Sequence, residues 1–161
     1  MAMEAAARAT RDVYITAAGA YLPGEPVDND RIENVLGLIN GKPSRLKNRI
    51  LRSNGIKTRH YALDEHGQTT ELNEELAVKA VQAALAHSEL TLDDVEMLAA
   101  GTTQGDVPIP GFASMVHGRL GGRPMEITST SKGSDGKRYR RRQVLDALAS
   151  GGDQPFAAYC A

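Results

Sequence analysis

Residues 70–105, TELNEELAVKAVQAALAHSELTLDDVEMLAAGTTQG, decide how the chain folds. Leu72, Leu76, Val78, Val81 and Leu85 recur at helical spacing among many alanines, and the pattern predicts a helix that runs to His87. So much alanine on one helix predicts close packing against a neighbouring helix or sheet. Thr91 and Asp94, three residues apart, have the spacing of a capping box with Asp in place of Glu. Val95 to Thr102 then reads as a buried strand, ended by the small and polar run Gly101-Thr102-Thr103-Gln104-Gly105.

The same alternation extends in both directions. Upstream, Val13 to Ala20 predicts a buried strand, β-branched at its start and closing on small residues. Pro23, Gly24 and Pro26 end it. Asp28, Asn29 and Asp30 are N-cap candidates for a helix through Ile32, Val35, Leu36 and Ile39, closed by Asn40-Gly41. A basic helical stretch follows from about Ser44 to Ser53. Asn54-Gly55 makes a turn, and Ile56 to Leu63 is extended. Downstream, Val107 to Pro110 is a stiff loop, Phe112 to Leu120 a short helix stopped by Gly121-Gly122, and Met125 to Thr128 a third strand. The order predicts a layered α/β fold with crossover helices. Residues 1–11 read as a disordered tail.

Beyond Thr130 the character changes. Residues 131–136 are small and polar, and Lys137 to Arg142 puts five positive charges into six positions. Helical spacing resumes at Val144, Leu145 and Leu148, and Phe156 to Ala161 reads as the start of a buried strand. A chain that stops inside a buried strand is expected to be truncated.

The 161 residues suffice for one domain with a real core. Hydrophobic residues make up 41% and charged residues 24%, and the net charge is -1, so overall charge favours neither nucleic acid nor a membrane as partner. The basic run at 137–142, with Tyr139 inside it, is too short in a neutral chain to argue for nucleic-acid binding. No window reaches the roughly 18 apolar residues of a membrane span. Cys160 is the single cysteine, which excludes an internal disulfide and fits a reducing compartment, so the expected location is cytoplasmic. His60, His66, His87 and His117 are scattered without metal-site spacing, and no metal or cofactor is expected.

Four segments, in order, resemble the beta-ketoacyl-acyl-carrier-protein synthase III family of thiolase-fold condensing enzymes. Ala18-Gly19-Ala20-Tyr21-Leu22-Pro23 is similar to that family's first strand and its Gly-x-Tyr-Leu-Pro ending. Asn54 to His60 resembles its Gly-Ile-x-x-Arg segment, Glu75 to Ala80 its Ala-x-x-Ala helix, and Gly101-Thr102-Thr103 through Ile109-Pro110 its Thr-Thr…Phe-Pro-Ser strand and loop. The resemblance covers about residues 13–130. It implies a partial thiolase-like fold, the N-terminal half of an α-β-α-β-α layered architecture, as a truncated domain over residues 12–161 with an aberrant segment at 131–142.

The resemblance also implies a chemistry, the Claisen condensation of an acyl-CoA with malonyl-carrier protein in fatty-acid or polyketide synthesis, by a homodimer or heterodimer. The family's nucleophile is a Cys at a helix N-terminus, which lowers the thiol pKa. Its slot falls near Ser134 or Asp135, and neither is a thiol. The family's His and Asn come from its second half and have no counterpart in these residues. The chain is therefore expected to be inactive as it stands. The alternative is a non-catalytic thiolase-fold partner subunit of an active condensing enzyme.

Arg45, Arg49 and Arg52 occupy the stretch where the family contacts the CoA nucleotide, and they could bind its phosphates. A solvated helix face explains the same charge run and is the favoured reading. Ile109 falls where the family reaches across its dimer to line the partner's acyl pocket; loop packing between Pro108 and Pro110 explains it equally well. Cys160 lies well past the slot and is expected to be an inert thiol.

Back-translated with GC-rich codons, Gly136 to Arg142 reads in a neighbouring frame as Ala-Ser-Gly-Ile-Asp-Ala, the small-residue string the family carries after its nucleophile. The codons are a choice, so a local frame shift in the gene is one explanation of the aberrant segment, and a solvated, disordered segment is the other. Resequencing the gene tests this, and a clean frame across codons 130–143 rejects it.

Overall fold

The computed structural model describes residues 14–103, 105–131 and 156–160. In chain order the elements are β1 (Val27–Asp28), α1 (Ile32–Leu36), α2 (Lys47–Asn54), β2 (Thr58–Arg59), α3 (Asn73–Leu85), β3 (Met97–Thr102), α4 (Phe112–Leu120), β4 (Glu126–Ser131) and β5 (Phe156–Cys160). They form a layer of helices on a parallel sheet, with a small antiparallel pair in the arm that precedes it.

The sheet has the order β4-β3-β5, and both pairings are parallel. Leu98 faces Ile127 on one side and Ala157 on the other; Gly101 faces Thr130 and Cys160. β3 is buried along almost its whole length, as its unbroken apolar run predicts. A parallel neighbour cannot follow through a tight turn, so α4 supplies the crossover from β3 to β4.

α3 and α4 pack against each other on one face of the sheet. α4 lies over β3 and β4, and α3 lies against β5. The core between them is Ala77, Val78 and Val81 of α3, Leu98 and Ala100 of β3, and Phe112, Ala113 and Val116 of α4. Leu85, Met115, Leu120 and Met125 close its edges. Ala77 and Ala113 are fully enclosed, so the alanines of α3 do set a close helix contact. α4 starts at Gly111, which has no side chain to cap it. The Oγ of Ser129 on β4 takes over and accepts the N–H of Ala113 at 2.9 Å.

Most of the expected elements are present, with moved ends. α3 is shorter than the pattern at both ends, and the turn at Thr91–Asp94 has its capping box: the Asp94 carboxylate accepts the N–H and the Oγ–H of Thr91. Three expectations are corrected. The helix expected to reach Ile39 stops at Leu36, because Gly37 takes φ 80° and leaves the helical region; Ile39 instead forms a bridge with Lys42. Asp28 does not cap that helix directly but folds the approach, its Oδ1 accepting the N–H groups of Asp30 and Arg31.

The strand expected over residues 13–20 is the larger correction. Residues 14–20 carry no strand, and Ile15 is 93% exposed. A strand needs a neighbour's backbone groups, and both flanks of β3 are already filled, by β4 and by β5. The expected helix around Val144 and the tail at 1–11 lie outside the described residues.

Leu98 sits at the centre of the core with 1% exposure. Leu98→Ala is expected to lower the unfolding free energy by about 2–5 kcal/mol, because the rigid helix pair above it cannot collapse into the space. Chemical denaturation followed by circular dichroism measures the loss.

Candidate functional site

Two regions carry the chemistry that the sequence singled out. The first is the basic arm around α2. Arg45 lies in the turn before the helix, and Arg49 and Arg52 lie on it; spacings of four and three put all three along one side. All three are exposed. Arg52 donates its Nε–H to the carbonyl of Asn48 at 3.0 Å, a local contact that leaves the rest of the guanidinium turned to solvent. Among the described residues none of the three forms an ion pair. The structure leaves all three exposed, as either a solvated face or a phosphate contact would require.

What holds this surface in place was not legible as a motif. Glu33 of α1 accepts the N–H of Ser44 at 2.8 Å and the Nζ of Lys47 at 3.1 Å, and Lys47 also reaches the carbonyl of Asp30. The Ser44 N–H, and after it Lys47, holds the Glu33 carboxyl below its ordinary value of 4.5. These contacts tie the start of α2 to α1. At the other end Gly55 caps α2 in the left-handed region, φ 68°. Arg59 then donates to Oδ1 of Asn29 at 2.7 Å, and the amide of Asn29 donates to the carbonyl of Ile56. The signal available in sequence was only an acidic residue eleven positions before a serine, which no short-range pattern connects.

The second region is the carboxyl end of the parallel sheet, where ligands of open α/β sheets commonly sit. Asn73, the first residue of α3, donates its side-chain N–H to Oγ1 of Thr102 at 2.8 Å, and its backbone N–H goes to Oδ2 of Asp106 at 2.8 Å. Thus the start of α3, the end of β3 and the loop beyond it are stitched at one point. From there the loop projects outward, and Ile109 at its tip is 83% exposed. Ser134 and Asp135, where the resemblance leads one to expect the nucleophile, lie outside the described residues, three and four positions in sequence past Ser131 at the end of β4.

Two charge clusters flank α3. Tyr21 donates its hydroxyl to the Glu71 carboxylate at 2.9 Å; Lys79 pairs with the same carboxylate and lies over the Tyr21 ring, 4.7 Å from its centre. On the other side Arg119 of α4 bridges Glu74 at 3.0 Å and Glu75 at 2.7 Å. Glu74 is only 6% exposed, so this guanidinium is what makes its burial tolerable. The first ties the segments at Tyr21 and Glu71 to α3, and the second ties α3 to α4.

The histidines also have structural places. His60 Nδ1 lies 3.1 Å from the carbonyls of both Pro23 and Gly24, and His117 Nε2 lies 3.3 Å from the carbonyl of Arg123. Among the described residues no group of three or more His, Cys, Asp or Glu could hold a metal ion. Among the same residues no helix is long and apolar enough to cross a membrane.

No family model matches the chain. Individual relatives do. The chain is 37% identical over 107 residues to the beta-ketoacyl-[acyl-carrier-protein] synthase III of Dinoroseobacter shibae, a match that covers 66% of this chain and 29% of that protein. It is 34% identical over 110 residues to the synthase of the same name from Staphylococcus aureus strain JH1, covering 68% of this chain and 31% of that one. Among solved structures, a tetronic acid condensing enzyme, AbyA1, superposes with a TM-score of 0.63 at 29% identity, over 85% of this chain and 41% of that one. The 3-oxoacyl-(acyl carrier protein) synthase III of Pseudomonas aeruginosa PAO1 superposes with a TM-score of 0.60 at 26% identity, over 84% and 38%.

Fold and sequence together define a condensing-enzyme chain of the thiolase fold, matched over part of that fold's length. Within that class the chain is synthase III-like. It spans about 30% of the length of the curated relatives it matches.

The Glu33 tie makes a prediction about acid. Its folded-state pKa is lowered, so its contribution to stability is fully present well above pH 4.5 and is lost as pH falls through the lower folded value. The stability difference between the native chain and Glu33→Gln should be constant from neutral pH down to about pH 5.5 and shrink below the ordinary Glu value. Urea titrations between pH 3 and 7 measure it; a difference that grows on acidification contradicts the assignment.

Proposed function

We propose that this chain supplies the first part of a synthase III-like condensing fold and does not itself form the acyl-enzyme. The reaction of the class is the decarboxylative joining of an acyl-CoA to a malonyl-carrier protein, and these are the substrates we assign to the fold. Arg45, Arg49 and Arg52 are the residues that would receive the CoA phosphates, a role supported by their common side and their solvent exposure. The observation that carries the inactive reading is the cysteine count. The one thiol, Cys160, is in β5, far past Ser134 and Asp135, near which the resemblance to the family puts the nucleophile by spacing. A serine there would need a base to remove its proton, and no histidine lies near it in sequence. Asp135 would add negative charge where a thiolate must be stabilised.

A second reading is a non-catalytic partner subunit of an active condensing enzyme. The exposed loop with Val107 and Ile109 favours it, because an apolar loop tip of this kind gains from burial against another protein.

Incubation of the purified chain with radiolabelled acetyl-CoA, followed by denaturation and intact-mass measurement, separates the outcomes. No stable acylation is expected. A mass increase of one acetyl group at any residue overturns the inactive reading, and co-purification of a full-length synthase with the unlabelled chain supports the partner role.

A further inference from the structure

The net charge of -1 hides an uneven distribution. Residues 34–63 contain seven Lys and Arg and no Asp or Glu. Two of the seven are engaged inside the arm, Lys47 with Glu33 and Arg59 with Asn29. The other five, Lys42, Arg45, Arg49, Arg52 and Lys57, are exposed, and among the described residues none of them forms an ion pair.

The same stretch exposes aliphatic side chains. Leu36, Leu38 and Ile39 lead into the tight turn that the Ile39–Lys42 bridge closes, and Ile39 is 65% exposed. Leu46 and Ile50 follow, each next in sequence to an exposed arginine, and both are themselves exposed. The turn stands clear of the body, since a Cβ at Gly37 or Gly41 would meet no atom within 4 Å. Glu33 accepts from Ser44 and Lys47, so the chain leaving the turn is anchored to α1.

A partner for this arm must be negative and must also take up aliphatic side chains. A free nucleotide meets the first requirement only. A nucleic acid offers phosphates and flat bases, and residues 34–60 hold no Phe, Tyr or Trp to stack on them. The face of an anionic bilayer offers phosphates with hydrocarbon directly beneath. We propose that this arm is a peripheral docking site for an anionic lipid bilayer. Leu38 and Ile39 enter the interfacial region, and Lys42, Arg45, Arg49 and Arg52 receive the lipid phosphates. The proposal goes beyond the CoA role of the arginines, which has no use for Leu38 and Ile39, and it needs no nucleophile.

The chain has no tryptophan, so Ile39→Trp places a single fluorescent reporter at the turn. With vesicles of phosphatidylglycerol and phosphatidylcholine in equal parts its emission should move to the blue; with phosphatidylcholine alone it should not move. The unaltered chain should co-float with the first vesicles only, and less of it as salt rises from about 0.1 to about 0.5 M. The variants Leu38→Ser/Ile39→Ser and Arg45→Ala/Arg49→Ala/Arg52→Ala should each lower the affinity for those vesicles by about tenfold or more. Their circular dichroism should not change, because all five side chains are in solvent. No blue shift, or the same shift with both vesicles, overturns the proposal. So does a serine variant that binds as tightly as the unaltered chain, or an unaltered chain that binds polyglutamate or single-stranded DNA as tightly as vesicles, since the arm would then serve anions in general. A chain that binds CoA and neither vesicle rejects the lipid role and leaves the nucleotide role standing.

Discussion

Everything in this molecule hangs on the double pairing of β3. A strand with no polar side chain before its last residue and almost no exposure has no other outlet for its amides and carbonyls than its two neighbours. Because both neighbours are parallel, neither can be reached through a tight turn, and helices must carry the chain across. α4 is that carrier on one side. Once it lies on the sheet, its small residues and those of α3 set how closely the two helices approach, and Phe112, Val116 and Leu98 fill what remains. The helix layer is thus a consequence of the ladder.

The arm before the sheet obeys a different rule. It buries little and is held by point contacts between polar groups: Glu33 to Ser44 and Lys47, Arg59 to Asn29, Asn29 to Ile56. Half-buried surface ties of this kind contribute modestly each, so they determine where α2 points more than how firmly the domain folds. Their effect is to fix the start of α2, the helix that carries Arg49 and Arg52, against α1. At the far end of the sheet Asn73 does a comparable job with Thr102 and Asp106, fixing the loop that carries Ile109.

Legibility in the sequence followed the range of the forces. α3, β3 and α4 were readable because each repeats its own period over many residues, and Phe112 to Leu120 was placed without error. The capping box at Thr91 and Asp94 was readable because both partners sit within one turn. Residues 13–20 were not, because strand composition states an aptitude and a neighbour must be free to satisfy it. Ile39 was lost from its helix because Gly37 outranked the apolar spacing. The arginines at 45, 49 and 52 could be named from sequence, and their common side follows from helical spacing; the Glu33 tie that orients them spans a loop and leaves no local trace.

Ser129 has one more consequence. Its hydroxyl closes the first turn of α4 from across the crossover, so a helix end and a strand face check each other. If β4 slipped by one residue against β3, Ser129 would turn to the opposite face and the N–H of Ala113 would lose its acceptor. Past Leu98 and Ile127, β3 and β4 are alanine, glycine, serine and threonine and offer no bulky side chain to tell one alignment from the next. The cap supplies that discrimination from outside the sheet, as a proofreading contact for strand register.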